Sequence, residues 1–221
     1  MKENKLALLL IPVLLAAGIW SYYAIRVPEL PEDAGSCYAK SLRWMEQNDT
    51  AKAKQELERC KTDYPEDGKF DFQLGNIARK QNQMGQALSH YEEAVRKSPQ
   101  LAEAYNNIAA IHMLENKIDE AKNAIDEGLK HMPEYKDLKF KKGQIHFIKQ
   151  EYPQAITLLE PLLNDPEFVE AYRFVGIAQL KLNRREEALA NLQQYVQKAA
   201  PGSPGLADAE KMVDELTSAS K

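Results

Sequence analysis

The pattern of apolar and polar positions divides the chain near residue 33. From Leu6 to Ile25 runs an uncharged stretch, LALLLIPVLLAAGIWSYYAI. A helix of about 20 residues at about 1.5 Å per residue is roughly 30 Å long, enough to cross a hydrocarbon core. A membrane helix tolerates Pro12 and Gly18, and Trp20, Tyr22 and Tyr23 gather at one end, where amphipathic rings suit the headgroup layer. A cleaved signal would need small residues at −3 and −1, but Leu15-Ala16-Ala17 and Tyr22-Tyr23-Ala24 both put a large residue at −3. No cysteine follows Ala17-Gly18, so a lipoprotein site is missing. The stretch is therefore expected to be an uncleaved transmembrane signal anchor. Lys2 and Lys5 precede it, whereas Arg26, Glu29, Glu32 and Asp33 follow. Positive-inside bias then leaves residues 1–5 in the cytoplasm and everything beyond the span outside it. Residues 26–33 hold two prolines and three acids and read as a stiff spacer.

Beyond residue 33 the pattern changes to apolar residues at helical spacing, interrupted by short polar breaks. Ala, Leu, Lys, Glu and Gln dominate, the residues that lose least on entering a helix. Self-similarity is strong. Ser41, Gly75, Ala109, Gly143 and Gly176 are spaced by 34, 34, 34 and 33 residues. Ala53, Ala87, Ala121, Ala155 and Ala188 keep the same spacings, and Pro65, Pro99, Pro133, Pro166 and Pro201 follow at 34, 34, 33 and 35. Three independent marker sets with one period define a helical repeat. Each unit is predicted to be two antiparallel helices, A then B. The small residue of A and the alanine of B would let the backbones approach. The proline follows B, where it stops a helix by lacking an N–H and restricting the residue before it.

These markers resemble the tetratricopeptide repeat, whose pattern is a large residue-x2-L-G-x2-Y, then A-x3-F, then P. The second unit has Leu74-Gly75-x2-Ala78, Ala87-x3-Tyr91 and Pro99; the third has Tyr105-x2-Ile108-Ala109-x2-His112, Ala121-x3-Ile125 and Pro133; the fifth has Tyr172-x2-Val175-Gly176-x2-Gln179 and Ala188-x3-Leu192. The first and fourth depart from it, with Lys40 and Lys142 where an apolar residue is expected. The resemblance implies an all-α, right-handed α-solenoid of about five helix pairs, 34–67, 68–101, 102–135, 136–168 and 169–201. A capping helix is expected over 202–217, N-capped by Ser203 with Pro204 in its first turn and with Leu206, Ala209, Val213 and Leu216 on one stripe. The last residues, 218–221, are read as a tail. Pro161 falls inside helix B of the fourth unit and is expected to kink it.

The formal net charge is −4, which argues against a general nucleic-acid binder, because phosphate needs a basic face. No phosphate-binding glycine loop, nucleophile elbow or H-E-x-x-H motif is present. His112 and His146 occupy one position in consecutive units, but two histidines without a carboxylate or thiol partner make a poor metal site. Acid pairs such as Asp119-Glu120 read as solvated helix starts. The chain is thus read as a non-enzyme with no cofactor, metal or small-molecule substrate. Asn48-Asp49-Thr50, formally a glycosylation sequon, falls at the first A–B turn and otherwise reads as turn chemistry. Cys37 and Cys60 lie early in helix A and late in helix B of the first unit, ends that an antiparallel hairpin places side by side. They are either buried free thiols or, in an oxidising compartment, a disulfide that stabilises the first unit by about 3 kcal/mol.

The resemblance also implies a concave face built from positions 2, 5, 6, 9, 12 and 13 of each A helix. Counted on the repeat starts, these include Phe72, Gln73, Asn76, Arg79, Asn106, Asn107, Met113, Lys141, Gln144, Phe147 and Arg173. Members that hold a terminal carboxylate use five positions, of which Asn76, Asn107 and Lys141 match here. Phe72 and Asp137 stand where cations are expected, so that clamp is incomplete. The side-chain amides are expected to be exposed and to bind a peptide backbone. Anchor, spacer and repeats together resemble envelope-assembly tetratricopeptide proteins of Gram-negative bacteria. The expected function is a membrane-tethered scaffold that binds a peptide or protein partner on the extracytoplasmic side. The alternative is an architectural subunit that associates through its outer face without binding peptide.

Overall fold

The computed structural model describes residues 33–218, so the expected anchor at 6–25 and almost all of the spacer lie outside the described residues. Within 33–218 no helix is long and apolar enough to cross a membrane. Five helix pairs follow one another: α1 (Ala34–Glu46) with α2 (Thr50–Asp63), α3 (Gly68–Lys80) with α4 (Met84–Lys97), α5 (Ala102–Leu114) with α6 (Ile118–His131), α7 (Lys136–Ile148) with α8 (Tyr152–Leu159), and α9 (Glu170–Lys181) with α10 (Arg185–Lys198). A last helix, α11 (Leu206–Ser218), closes the array. Each helix packs mainly on its neighbours in the chain, and consecutive A helices also touch.

Asp33, Asp49 and Asp67 start the first three helices by accepting hydrogen bonds from the N–H groups of Ser36, Lys52 and Lys69. Each A helix ends in the same turn. Asn48, Asn82, Asn116, Gln150 and Asn183 have φ between 58° and 61°. The next residue's N–H reaches back to the helix, as in Asp49 N to Trp44 O at 2.9 Å and Glu151 N to His146 O at 2.8 Å. This left-handed cap satisfies carbonyls the helix leaves open, and Asn tolerates it better than most residues. Asn48 of the formal sequon thus has a turn role.

The marker residues are buried, but the small residue of helix A does something different from what was expected. Ala53, Ala87, Ala121, Ala155 and Ala188 are fully buried, at the helix contact. The small residue of A instead receives the large side chain four residues after that alanine. A methyl at Gly75 would lie 2.6 Å from the Tyr91 ring, one at Gly143 2.6 Å from Leu159, and one at Gly176 2.8 Å from Leu192. At these three positions the glycine makes a socket for a knob, and a β-carbon would force the facing side chain to shift; Ser41 and Ala109, at the same position of their units, carry one.

Lys40 and Lys142, the two departures from the pattern, are ion-paired to acids on B helices, Glu56 at 3.1 Å and Asp126 at 2.7 Å. Pro161 does not kink its helix; α8 stops at Leu159 and a 3-10 turn, Glu160–Leu162, carries the chain on. The proline has no N–H to continue the α pattern, and its ring crowds the preceding turn. Leu159, Leu162 and Phe168 still fill the core there. Ser203 is not the N-cap of the last helix: Gly202 and Gly205 take φ of +82° and +73°, and α11 begins only at Leu206. The expected stripe remains, with Ala209 and Leu216 buried and Leu206 and Val213 packed beside them.

An ion cluster is buried between the first two pairs. Asp71 is fully buried on α3, with Lys97 Nζ at 2.6 Å, Lys61 Nζ at 2.7 Å and His90 Nδ1 at 3.8 Å. Burial pushes its carboxyl pKa up, but hydrogen bonds from His90, Lys61 and Lys97 outweigh this and hold it well below the usual carboxylate range.

Candidate functional site

The A helices carry the expected site residues along one face, and the structure gives that face two halves of different chemistry. The first half, over the first three pairs, is a hydrogen-bonded chain. Gln73 Nε2 donates to Tyr38 Oη at 2.7 Å, and Asn76 Nδ2 donates to Gln73 Oε1 at 3.1 Å. Asn76 Oδ1 accepts from Tyr91 Oη at 2.8 Å and from Asn107 Nδ2 at 3.4 Å. Gln73 is 8% exposed, and Asn76 and Asn107 are half-buried. The expectation of exposed amides free for a ligand is therefore corrected: these groups are largely committed to one another. Burial raises the pKa of Tyr91, and Arg79 and Asn107 beside its hydroxyl oppose the shift. Phe72 packs on the Tyr91 ring at 5.8 Å.

The second half, over the fourth and fifth pairs, carries an aromatic cluster. Phe174 meets Phe147 at 5.2 Å and Phe140 at 6.1 Å between ring centroids, and Phe147 meets Tyr152 at 5.7 Å. All four rings are partly exposed. Arg173 lies over Phe174 at 4.5 Å and donates to Glu170 at 2.8 Å, so its charge is already paired. Met113 packs on the third pair's core, and Gln144 is half-buried. Asn106 Oδ1 is buried and has no hydrogen-bond partner among the described residues.

Lys141 stands between the halves. The repeat carries Asn107 onto Lys141 one unit later, and carries Asn76 and Tyr91 onto Ala110 and Ile125. The two oxygens that engage Asn107 thus correspond, one unit later, to apolar residues. Lys141 is half-buried and makes no ion pair or hydrogen bond among the described residues. Burial lowers its pKa, and Asp137 opposes this only through space.

Phe140, Phe174, Tyr38 and Tyr91 belong to this face but were not expected there. Phe140, Phe174 and Tyr38 sit at positions 5 or 6 of their A helices, a signal present in the repeat count. Cys37 and Cys60 form a disulfide with Cα atoms 5.9 Å apart, and both are fully buried. Glu56 lies close to the two sulfurs, but the disulfide leaves no thiolate and Lys40 and Arg59 hold the carboxylate, so this cluster is no metal site. His112 and His146 are not joined in a site; His146 pairs with Glu151 at 2.5 Å.

A series of antiparallel helix pairs stacked by one repeated contact defines an α-solenoid. Residues 34–67, 75–115 and 102–130 match family models described as "TPR repeat" and "Tetratricopeptide repeat". Among curated proteins it is similar to the "Hsp70-Hsp90 organizing protein" of Triticum aestivum. The identity is 27% over 173 residues, covering 73% of this chain and 30% of the relative. It is also similar to "Hsp70-Hsp90 organizing protein 3" of Arabidopsis thaliana, at 30% over 130 residues, covering 57% of this chain and 23% of the relative. The chain thus spans under a third of these relatives' length. Among solved structures, YrrB, "a TPR protein with an unusual peptide-binding site", superposes with a TM-score of 0.64 at 15% identity, covering 81% of this chain and 93% of that one. PilW, a "widely conserved type IV pilus biogenesis factor", gives 0.64 at 16%, covering 84% and 91%. These two likenesses show the fold.

Proposed function

We propose that this chain is a tetratricopeptide scaffold that holds a peptide or protein partner on its A-helix face. The observation that carries the reading is the group of partly exposed rings Phe140, Phe147, Tyr152 and Phe174 on the fourth and fifth pairs. These rings pack on the core of the fourth and fifth pairs yet keep part of their surface in solvent, and rings supply contact area at low entropic expense. The likeness to chaperone-organizing proteins and to a peptide-binding repeat protein agrees with it. The alternative, association through the outer face, finds less support. Among the described residues the exposed large apolar side chains are Leu114, Met132 and Ile148, and none lies within a B helix.

The scaffold is tethered to a membrane by residues 6–25, and its repeats stand outside the cytoplasm, where they serve assembly of an envelope complex. The uncharged run and its flanking charges support this, as does the disulfide, which persists in oxidising compartments. The test is crosslinking in the native membrane and mass spectrometry of the captured protein, with Phe147→Ala/Phe174→Ala as the comparison. Capture should fall several-fold in the variant; undiminished capture would move the partner to another face. A reporter enzyme active only in the periplasm, fused after Lys221, should work, and activity of a cytoplasm-only reporter there would reverse the orientation.

A further inference from the structure

One position early in helix A and one late in helix B meet in several of the pairs. In the second pair they are Asp71 and Lys97, joined at 2.6 Å; in the third they are Tyr105 and His131, stacked at 6.3 Å. In the fifth they are Tyr172 and Lys198, whose Nζ lies 4.8 Å from the ring centroid and donates to the Tyr172 hydroxyl at 3.3 Å. The second pair thus gives its ammonium a buried carboxylate, which Lys61 of the preceding pair also holds at 2.7 Å. At the same place in the fifth pair Tyr172 replaces the acid, and Leu163 of the preceding pair replaces Lys61. Lys198 keeps a ring and a hydroxyl but has no ion pair among the described residues. A cavity of about 350 Å³ opens there, between the fourth and fifth pairs. It lies where α8 has stopped at Leu159 and the chain turns through residues 163–165 into Pro166. Leu163, Pro166, Val169 and Tyr172 give it an apolar lining, and Asn164 and Lys198 line it as donors. Asp165 lines it too, but its carboxylate is engaged by Lys136 at 2.6 Å and by the Glu167 N–H at 3.1 Å. Lys198 and Asn164 are both exposed, so a solute can reach them.

We propose that this cavity is a binding site separate from the A-helix face, and that its ligand is a small carboxylic acid with a compact apolar body, such as an aryl-substituted acetic acid. The volume is that of a small-molecule site, which begins at about 300 Å³. The ligand's carboxylate accepts from Lys198 and Asn164, so that it meets Lys198 as the Asp71 carboxylate meets Lys97 in the second pair. Its apolar body lies against Leu163, Val169 and the Tyr172 ring, where burial of apolar surface adds to the charge-assisted bond. The lining also sets selectivity by charge. An amine would meet the Lys198 ammonium, and a second carboxylate would meet Asp165. The site needs neither the aromatic cluster of the A helices nor a protein partner, so it stands apart from the scaffold reading.

The test is saturation-transfer NMR on the full chain in detergent, with phenylacetate and phenylacetamide as probes and empty micelles as the blank. Lys198→Met, Lys198→Arg and Asn164→Ala are measured beside the unaltered protein. Phenylacetate should bind about tenfold or more tightly than its amide, the worth of a charge-assisted bond. Lys198→Met should erase that preference, Lys198→Arg should keep most of it, and Asn164→Ala should weaken the acid several-fold. The ligand-free thermal midpoint should stay nearly unchanged in Lys198→Met, because the side chain is exposed and carries no ion pair. Equal binding of acid and amide by the unaltered protein would overturn the proposal, as would a preference for the acid that survives Lys198→Met. Absence of binding at millimolar phenylacetate would overturn it as well. A peptide blocked at both ends, with Glu beside Phe, serves as a second probe. If this peptide binds through Lys198 and phenylacetate does not, the ligand is a segment of a protein, and the small-acid proposal falls. None of these outcomes bears on the A-helix face, which the Phe147→Ala/Phe174→Ala capture experiment reads by itself.

Discussion

Asn76→Ala is expected to destabilise the protein even though Asn76 lies on a solvent-facing side of the array. Its Oδ1 accepts from Tyr91 Oη at 2.8 Å, and the Tyr91 side chain is fully buried. Truncation leaves that hydroxyl without this acceptor, which costs about 1–3 kcal/mol. The bonds to Gln73 at 3.1 Å and Asn107 at 3.4 Å are longer and partly hydrated, so together they add a few tenths. The sum, about 2 kcal/mol, corresponds to a fall of about 4–8 °C in midpoint for a folded unit of this size. Circular dichroism on the repeat portion measures it directly. Tyr91→Phe removes the orphaned donor, so the double variant should recover about 1 kcal/mol relative to additivity. A midpoint unchanged in Asn76→Ala, or strict additivity in the pair, would refute the role of Asn76 as the hub of this network.

Three further expectations follow from other parts of the fold. Asp71→Asn should cost about 3 kcal/mol, because Lys97, with 5% of its side chain exposed, keeps only Glu93 at 3.5 Å as a counter-charge. The Asp71 carboxyl has a folded pKa depressed below its unfolded value of about 3.9, so its contribution is complete above about pH 4 and is lost as pH falls through the folded value. Acid titrations of unfolding free energy should show a shallower loss in the variant. Gln150, the one non-Asn residue among the five left-handed turns, should gain about 0.5–1 kcal/mol on exchange to Asn, read by urea titration; a loss would mean that its side chain has another task. Reduction of Cys37–Cys60 should cost about 3 kcal/mol, and hydrogen exchange should place the change in α1 and α2. Uniform deprotection of the whole array would contradict a local staple.

The period of the array is legible because it rests on local chemistry. A small residue, an alanine and a proline recur at fixed offsets, and each is required within its own helix pair. Its use of Gly75 was less legible, because the partner is the Tyr91 ring, a side chain from the facing helix. The repeat count also placed Gln73, Asn76, Asn107 and Lys141 on one face, but their state depends on contacts between units. The bond from Gln73 to Tyr38 spans 35 residues and that from Asn107 to Asn76 spans 31. No periodicity tells whether an amide meets another amide or a ligand. The contrast between Asn107 and Lys141 was recoverable by sliding the sequence one repeat, which turns Asn76 and Tyr91 into Ala110 and Ile125. Pro161 shows a different limit, since a proline can end a helix or bend it, and the outcome depended on whether Leu162 and Phe168 could complete the core without it.

The central claim is that the partner lies on the A-helix face, and site-specific photo-crosslinking in cells tests it most directly. A photoreactive residue replaces Gln144 on α7 in one variant, and exposed Gln86 or Gln193, on the B helices α4 and α10, in two others. The account predicts one dominant adduct of the same mass at Gln144, absent at Gln86 and Gln193. An adduct at the B-helix positions, with none at Gln144, would contradict it.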